Sequence, residues 1–133
     1  MNTERILLVE DQPDDQFLTL RTLKKMNICN VAVANEGEEA LQYLQSGLDT
    51  SASNVSLPSL IILDLRMPKV DGFEFLESLR SDLRTREIPV VVLSSSHQEK
   101  DRSRCRQLGV KAYLVKPLEV DAFGRALQSI GHA

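Results

Sequence analysis

Five short aliphatic runs, each followed by a segment of helical spacing, limit how this chain can fold. They are Ile6-Leu7-Leu8-Val9, Val31-Ala32-Val33-Ala34, Leu60-Ile61-Ile62-Leu63, Val90-Val91-Val92-Leu93 and Ala112-Tyr113-Leu114-Val115. Continuous rather than alternating apolar runs fit strands covered on both faces, the usual condition of a parallel sheet. The second run is weaker and suits a sheet edge. Strand and helix alternating in this way predict an α/β fold with a doubly wound five-stranded parallel sheet. Polar residues gather where the runs end: Glu10 and Asp11 after the first, Asp64 after the third, Ser94 after the fourth and Lys116 after the fifth. In such a sheet the carboxyl ends of the strands share one edge, and ligands bind in the crevice there. Three carboxylates, a hydroxyl and an ammonium in one crevice suit a divalent metal beside a phosphoryl group.

The intervening segments read as helices. Pro13, Asp14 and Asp15 start the first, with Asp14 as N-cap and acidic charge favoured near the helix start. Leu20, Leu23 and Met26 supply its inner face. Gly37, Ala40, Leu41 and Leu44 mark the second helix, which Gly47 ends. The polar stretch from Leu48 to Pro58 reads as a surface loop within one domain, because the units on both sides are needed for one sheet. Phe73, Leu76, Leu79 and Leu83 mark the third helix, with Asp71 its cap and Gly72 allowing close backbone approach. Val120, Phe123, Leu127 and Ile130 mark the last. The segment from Gln98 to Gln107 differs, since only Cys105 and then Leu108 offer an apolar face. With so little surface to bury, this fourth helix should be among the least stable elements. It is either a solvated helix or a mobile, partner-contacting surface.

A chain of 133 residues with 42% hydrophobic content suits one domain with a modest core, spanning residues 1–133. A formal net charge of −3 argues against a general nucleic-acid surface, which needs a basic stripe. Cys29 and Cys105 lie in different units, too far apart for a zinc motif, so reduced thiols and a cytoplasmic setting are expected. No signal-peptide pattern precedes the first run, and no apolar stretch reaches bilayer-spanning length. No membrane role is expected.

Taken singly, several of the strand-end residues have ordinary explanations. Glu10 and Asp11 could be solvated charges at a helix start. Asp64 follows four aliphatic residues and would be partly buried, where an unpaired carboxylate is costly. Mg²⁺ answers that cost, because it takes oxygen ligands from one or two carboxylates, waters and a phosphate. Lys116 could neutralise phosphoryl oxygens or pair with Asp64. The Lys116–Pro117 bond is a candidate cis peptide. Ser94, ahead of Ser95 and Ser96, could cap a helix or donate to a phosphoryl oxygen.

Together, Val9-Glu10-Asp11, Leu63-Asp64-Leu65-Arg66-Met67-Pro68-Lys69-Val70-Asp71-Gly72, Leu93-Ser94-Ser95-Ser96 and Val115-Lys116-Pro117 resemble the receiver domain of two-component response regulators. The resemblance covers essentially the whole chain. It implies a flavodoxin-like sheet of order 2-1-3-4-5. It implies Asp64 as the phosphoacceptor, and Mg²⁺, with Mn²⁺ as a substitute, held by Asp11, Asp64 and the backbone carbonyl of Arg66, with Glu10 acting mostly through water. Ser94 and Lys116 match the residues that hold the phosphoryl oxygens, and Tyr113 the aromatic switch position. Arg66 and Ser96 match positions that influence how long the phosphate survives.

The Glu10-Asp11-Gln12-Pro13 start, the long loop before Leu60 and the Asp82-Leu83-Arg84…Ile88-Pro89-Val90 stretch further resemble single-domain regulators paired with bacterial phytochrome kinases. That implies a histidine kinase, of phytochrome type, or a phosphotransfer protein as phosphodonor. It also implies a downstream protein target and no output domain. A homodimer through the face of the fourth helix, fifth strand and fifth helix is one arrangement the resemblance allows. The arginine-rich fourth helix (Arg102, Arg104, Arg106) departs from those regulators. Two other readings are weighed against this one. A receiver-like binding module independent of phosphorylation is disfavoured by the intact Asp11, Asp64, Ser94 and Lys116 set. A Mg²⁺-dependent phosphatase of the haloacid dehalogenase type would carry its nucleophile after the first strand, whereas Asp64 follows the third and Arg66 occupies its plus-two position.

Overall fold

The computed structural model describes residues 5–48, 57–65, 71–95 and 98–130. Each aliphatic run is a strand: β1 (Ile6–Val9), β2 (Val31–Ala34), β3 (Leu60–Leu63), β4 (Val90–Ser94) and β5 (Ala112–Val115). The helices between and after them are α1 (Pro13–Lys25), α2 (Gly37–Leu48), α3 (Gly72–Ser81), α4 (Glu99–Gln107) and α5 (Val120–Ser129). All strand pairs are parallel and the sheet order is β2-β1-β3-β4-β5. The expected flavodoxin-like doubly wound sheet is the observed fold. The weak run β2 stands at one edge and half-buried β5 at the other.

Strand side chains alternate between two cores, as the two-residue period requires. Leu7, Val9, Ile61, Leu63, Val90 and Val92 face Ala40 and Leu44 of α2, Phe75, Leu76 and Leu79 of α3, and Cys105 of α4. Ile6, Leu8, Leu60, Ile62, Val91 and Leu93 face Leu23 of α1 and Phe123 and Ala126 of α5. β1, β3 and β4 are buried throughout, which explains why their runs are uninterrupted. No helix among the described residues is long and apolar enough to cross a membrane.

Four local expectations are corrected. The first helix is capped at Gln12, not Asp14, because Pro13 takes the opening helical position, where its missing N–H is not needed. Helix α2 runs through Gly47 to Leu48. Helix α3 stops at Ser81, so Leu83 falls beyond it and is 73% exposed. Val120, the first residue of α5, faces solvent, and Ala126 joins Phe123 in the core. Asp71 does cap α3, in a reciprocal box: its carboxylate accepts from the Glu74 amide at 3.0 Å, and Glu74 accepts from the Asp71 amide at 3.1 Å. Most of the loop expected between Leu48 and Pro58 lies outside the described residues.

Candidate functional site

Register carries the polar residues to one place. Val9 pairs with Leu63, so Glu10 and Asp64 leave the sheet side by side, and the Asp64 amide donates to the Val9 carbonyl at 3.0 Å. On the other flank the Lys116 amide donates to the Ser94 carbonyl at 2.9 Å, joining the ends of β4 and β5. Ser94 is the buried last residue of β4, and Gln98 occupies the N-cap of α4 that Ser94 could have filled. The Lys116–Pro117 peptide is cis.

Glu10, Asp11 and Asp64 each bring one carboxylate oxygen within 4.8 Å of the others. Glu10 and Asp64 are buried, at 1% and 4% exposure. Asp11 Oδ1 is also buried and has no hydrogen-bond partner among the described residues, although Oδ2 accepts from the Gln12 side-chain amide at 3.2 Å. A buried, unpartnered carboxylate oxygen is costly. An all-oxygen set with one orphaned oxygen suits a hard divalent cation, so these residues fit Mg²⁺.

Lys116 Nζ lies 2.9 Å from Glu10 Oε1 and 3.3 Å from Asp64 Oδ2. It also meets a carboxylate that sequence reasoning had treated only as a helix-start charge, Asp15 Oδ2, at 2.7 Å. The available signal was position: Asp15 lies one helical turn beyond Asp11 on the helix leaving the same strand end. Burial pushes the Glu10 carboxyl up to about 7, against the hydrogen bond from Lys116 and with the Asp64 charge adding to the rise. For Lys116, burial acts to lower the pKa. The bonds to Asp15 and Glu10 and the nearby charges outweigh it and hold the pKa above the ordinary lysine value.

Gly72 backs the site. A Cβ there would lie 2.5 Å from Leu65 Cα and 2.9 Å from the Asp64 carbonyl oxygen, so α3 starts hard against the Asp64–Leu65 peptide. On the same face of the sheet as α3, half-buried Tyr113 of β5 lies under the Arg102 guanidinium, 4.7 Å from its ring centroid. Arg104 similarly covers Phe73 at 4.2 Å and pairs with Glu77 at 3.2 Å. Two of the three arginines of α4 thus lay their guanidinium groups on aromatic rings, while Arg106 pairs with Glu99 at the surface. Arg66, Ser96 and the loop residues 67–70 lie outside the described residues.

Comparison with known proteins identifies the family to which this fold belongs. Residues 6–128 match the family described as response regulator receiver domain. The response regulator Rcp1 of Synechocystis is 36% identical over 126 residues, covering 94% of this chain and 84% of Rcp1. Rcp1 has been solved in a Mn²⁺-bound form, with a TM-score of 0.71 at 35% identity over 96% of this chain and 91% of that one. The bacteriophytochrome response regulator AtBRR superposes with a TM-score of 0.87 at 42% identity, covering all of this chain and 96% of AtBRR. The phosphorylated cyanobacterial phytochrome response regulator RcpA has a TM-score of 0.77 at 35% identity over 97% of this chain and 91% of RcpA. A match this nearly complete, on a sheet whose strand ends hold an acidic trio beneath one lysine, makes the chain a member of the response regulator receiver domain family.

Proposed function

We propose that this receiver accepts a phosphoryl group on Asp64 from a histidine kinase of phytochrome type, or from a phosphotransfer protein, and passes the signal on by protein contact. The observation that carries the reading is the Lys116 ammonium beside buried Asp64, next to a trio with an orphaned carboxylate oxygen. Phosphoryl transfer is mostly positioning and charge stabilisation. An Asp64 carboxylate oxygen forms the new bond to phosphorus while the phosphorus–nitrogen bond of phosphohistidine breaks. The electron pair stays on the imidazole, which takes up a proton. Mg²⁺, or Mn²⁺ in its place, would be held by Glu10, Asp11 and Asp64 with the Arg66 carbonyl, and would neutralise phosphoryl charge. Lys116 neutralises the remainder, and the Ser94 hydroxyl donates to a phosphoryl oxygen.

The conformational response runs from Ser94 through β4 and β5 to Tyr113 and α4. Tyr113 and Arg102 pack together, so movement of either disturbs the other. The face of α4, β5 and α5 then meets a downstream protein or a second copy. The chain works as an acceptor in the cytoplasm, and does not turn over phosphomonoesters as an enzyme. The phytochrome pairing draws on likeness to AtBRR, Rcp1 and RcpA.

Incubation with Mg²⁺ and acetyl phosphate should add the mass of one phosphoryl group, and Asp64→Asn should abolish the adduct. No adduct from acetyl phosphate or from candidate kinases would sink the acceptor reading. Rapid multiple turnover of a phosphomonoester would favour a phosphatase instead.

A further inference from the structure

Lys116 has a carboxylate partner outside the metal-binding trio. Asp15 Oδ2 lies 2.7 Å from Nζ, closer than Glu10 at 2.9 Å or Asp64 at 3.3 Å. An ammonium has three N–H donors and no acceptor. Three carboxylates therefore occupy its whole donor capacity, and the shortest contact is the one to Asp15. This contact joins α1 to the end of β5 across 101 residues of sequence. Asp15 also borders a cleft of about 270 Å³ with Leu18, Thr19, Lys116 and Pro117, on the α1 side of the lysine. Its side chain is 34% exposed, against 1% for Glu10 and 5% for Asp64.

The three partners would fare differently during phosphoryl transfer, and here the argument rests on the acceptor reading above. Glu10 and Asp64 belong to the trio that fits a metal ion. The attacking oxygen of Asp64 becomes the bridging oxygen of a mixed anhydride and loses its charge. Asp15 belongs to neither group, so its full negative charge stays on Lys116. The incoming phosphoryl oxygens must draw an N–H away from a carboxylate, and Asp15 is the one that nothing else among the described residues engages.

We propose that Asp15 is a positioning residue that holds the Lys116 ammonium towards α1 and competes with the phosphoryl group for it, restraining phosphorylation of Asp64. With acetyl phosphate, an Asp64 oxygen bonds to phosphorus, the bond from phosphorus to the acetyl oxygen breaks, and its electron pair leaves on acetate. No further reactant is needed.

Asp15→Asn keeps the shape of the side chain and removes the charge. Its initial rate of phosphorylation by acetyl phosphate with Mg²⁺ should rise about three- to fivefold, the scale of a partly exposed ion pair. Asp15→Glu, which can restore the ion pair, should return the rate to within about twofold of the parent. Asp14→Asn removes the same charge from the neighbouring, exposed position and should leave the rate within about twofold. In a Lys116→Ala background, Asp15→Asn should lose its effect, since the coupling runs through the lysine. Equal rates for Asp15→Asn and the parent overturn the inference alone. So does an acceleration that Asp14→Asn reproduces or that survives without Lys116. A parent that takes no phosphoryl group from any donor overturns the acceptor reading, and this inference with it.

Discussion

At Gly72 the absence of a side chain decides where the proposed phosphoacceptor sits. Its amide donates to the Leu65 carbonyl at 3.0 Å, and a Cβ would come within 2.5 Å of Leu65 Cα and 2.9 Å of the Asp64 carbonyl oxygen. Both are backbone atoms, so no rotamer change can make room. The helix start or the Asp64 peptide must shift. Gly72→Ala should therefore cost about 1–3 kcal/mol in denaturant unfolding, the range for overpacking, and should weaken Mg²⁺ binding because Asp64 moves. Gly124 in α5 supplies the opposite case, since a Cβ there meets nothing within 4 Å. Gly124→Ala should stabilise the protein by about 0.5–1 kcal/mol through helix propensity and leave metal binding alone. Equal effects of the two substitutions would show that contact with the Asp64 peptide is not what matters at position 72. The expectation that Gly72 permits a close approach could be read from sequence; which backbone it approaches could not.

Helix α4 shows at the element scale what patterning reveals and what it hides. Its polar sequence correctly marks a helix with little apolar surface, for among its nine residues only Asp101 and Cys105 are buried. Hidden from the sequence is the fastening at its far end. Arg80 of α3 donates to the carbonyls of Leu108 at 2.8 Å, Arg86 at 2.7 Å, Ile88 at 3.0 Å and Gly109 at 3.2 Å. One guanidinium thus ties the end of α4 to the connection that leads into β4. Carbonyl acceptors carry no side-chain signature, so on sequence alone Arg80 looks like a solvated charge. The same limit concealed the partners of Arg102 and Arg104, which depend on helix rotation against Tyr113 and Phe73. Arg80→Ala removes four charge-assisted bonds and should cost about 2–3 kcal/mol. Cys105 offers a local probe of the same change. Burial, with the Asp101 charge adding to it, pushes its thiol up to about 11, so in the parent it should resist alkylation at pH 8 while exposed Cys29 reacts. In Arg80→Ala the labelling of Cys105 should accelerate more than the loss of global stability accounts for. Acceleration that only tracks global unfolding would remove the fastening role.

Across the whole molecule, one sheet edge gathers the buried carboxylates Glu10 and Asp64 around Lys116. The strand runs made the topology legible, because burial on both faces leaves no other place for uninterrupted aliphatic segments. They also brought Glu10, Asp64, Ser94 and Lys116 to one edge. The charge balance there was less legible, because Asp15 enters from α1 and changes the count around Lys116 to three carboxylates. That count has a consequence for pH. Burial raises Glu10 from 4.5 to about 7, so between those values the folded, metal-free protein holds a proton that the unfolded chain has released. Stability therefore falls as pH rises through that window. Metal binding at the proposed site would have the opposite sign: it would need a charged Glu10 and would expel the proton below about pH 7. Mg²⁺ affinity should thus climb with pH, by at most about tenfold per unit for one proton, and level off above 7. Thermal unfolding with and without Mg²⁺ between pH 5 and pH 8 measures both slopes, since a ligand that binds only the folded state raises the unfolding temperature. Subtracting the same series for Glu10→Gln isolates this carboxyl from other titrating groups. A parent-minus-variant stability that rises with pH in the metal-free protein, or an Mg²⁺ affinity flat from pH 5 to 8, would mean that Glu10 is already charged before the metal arrives.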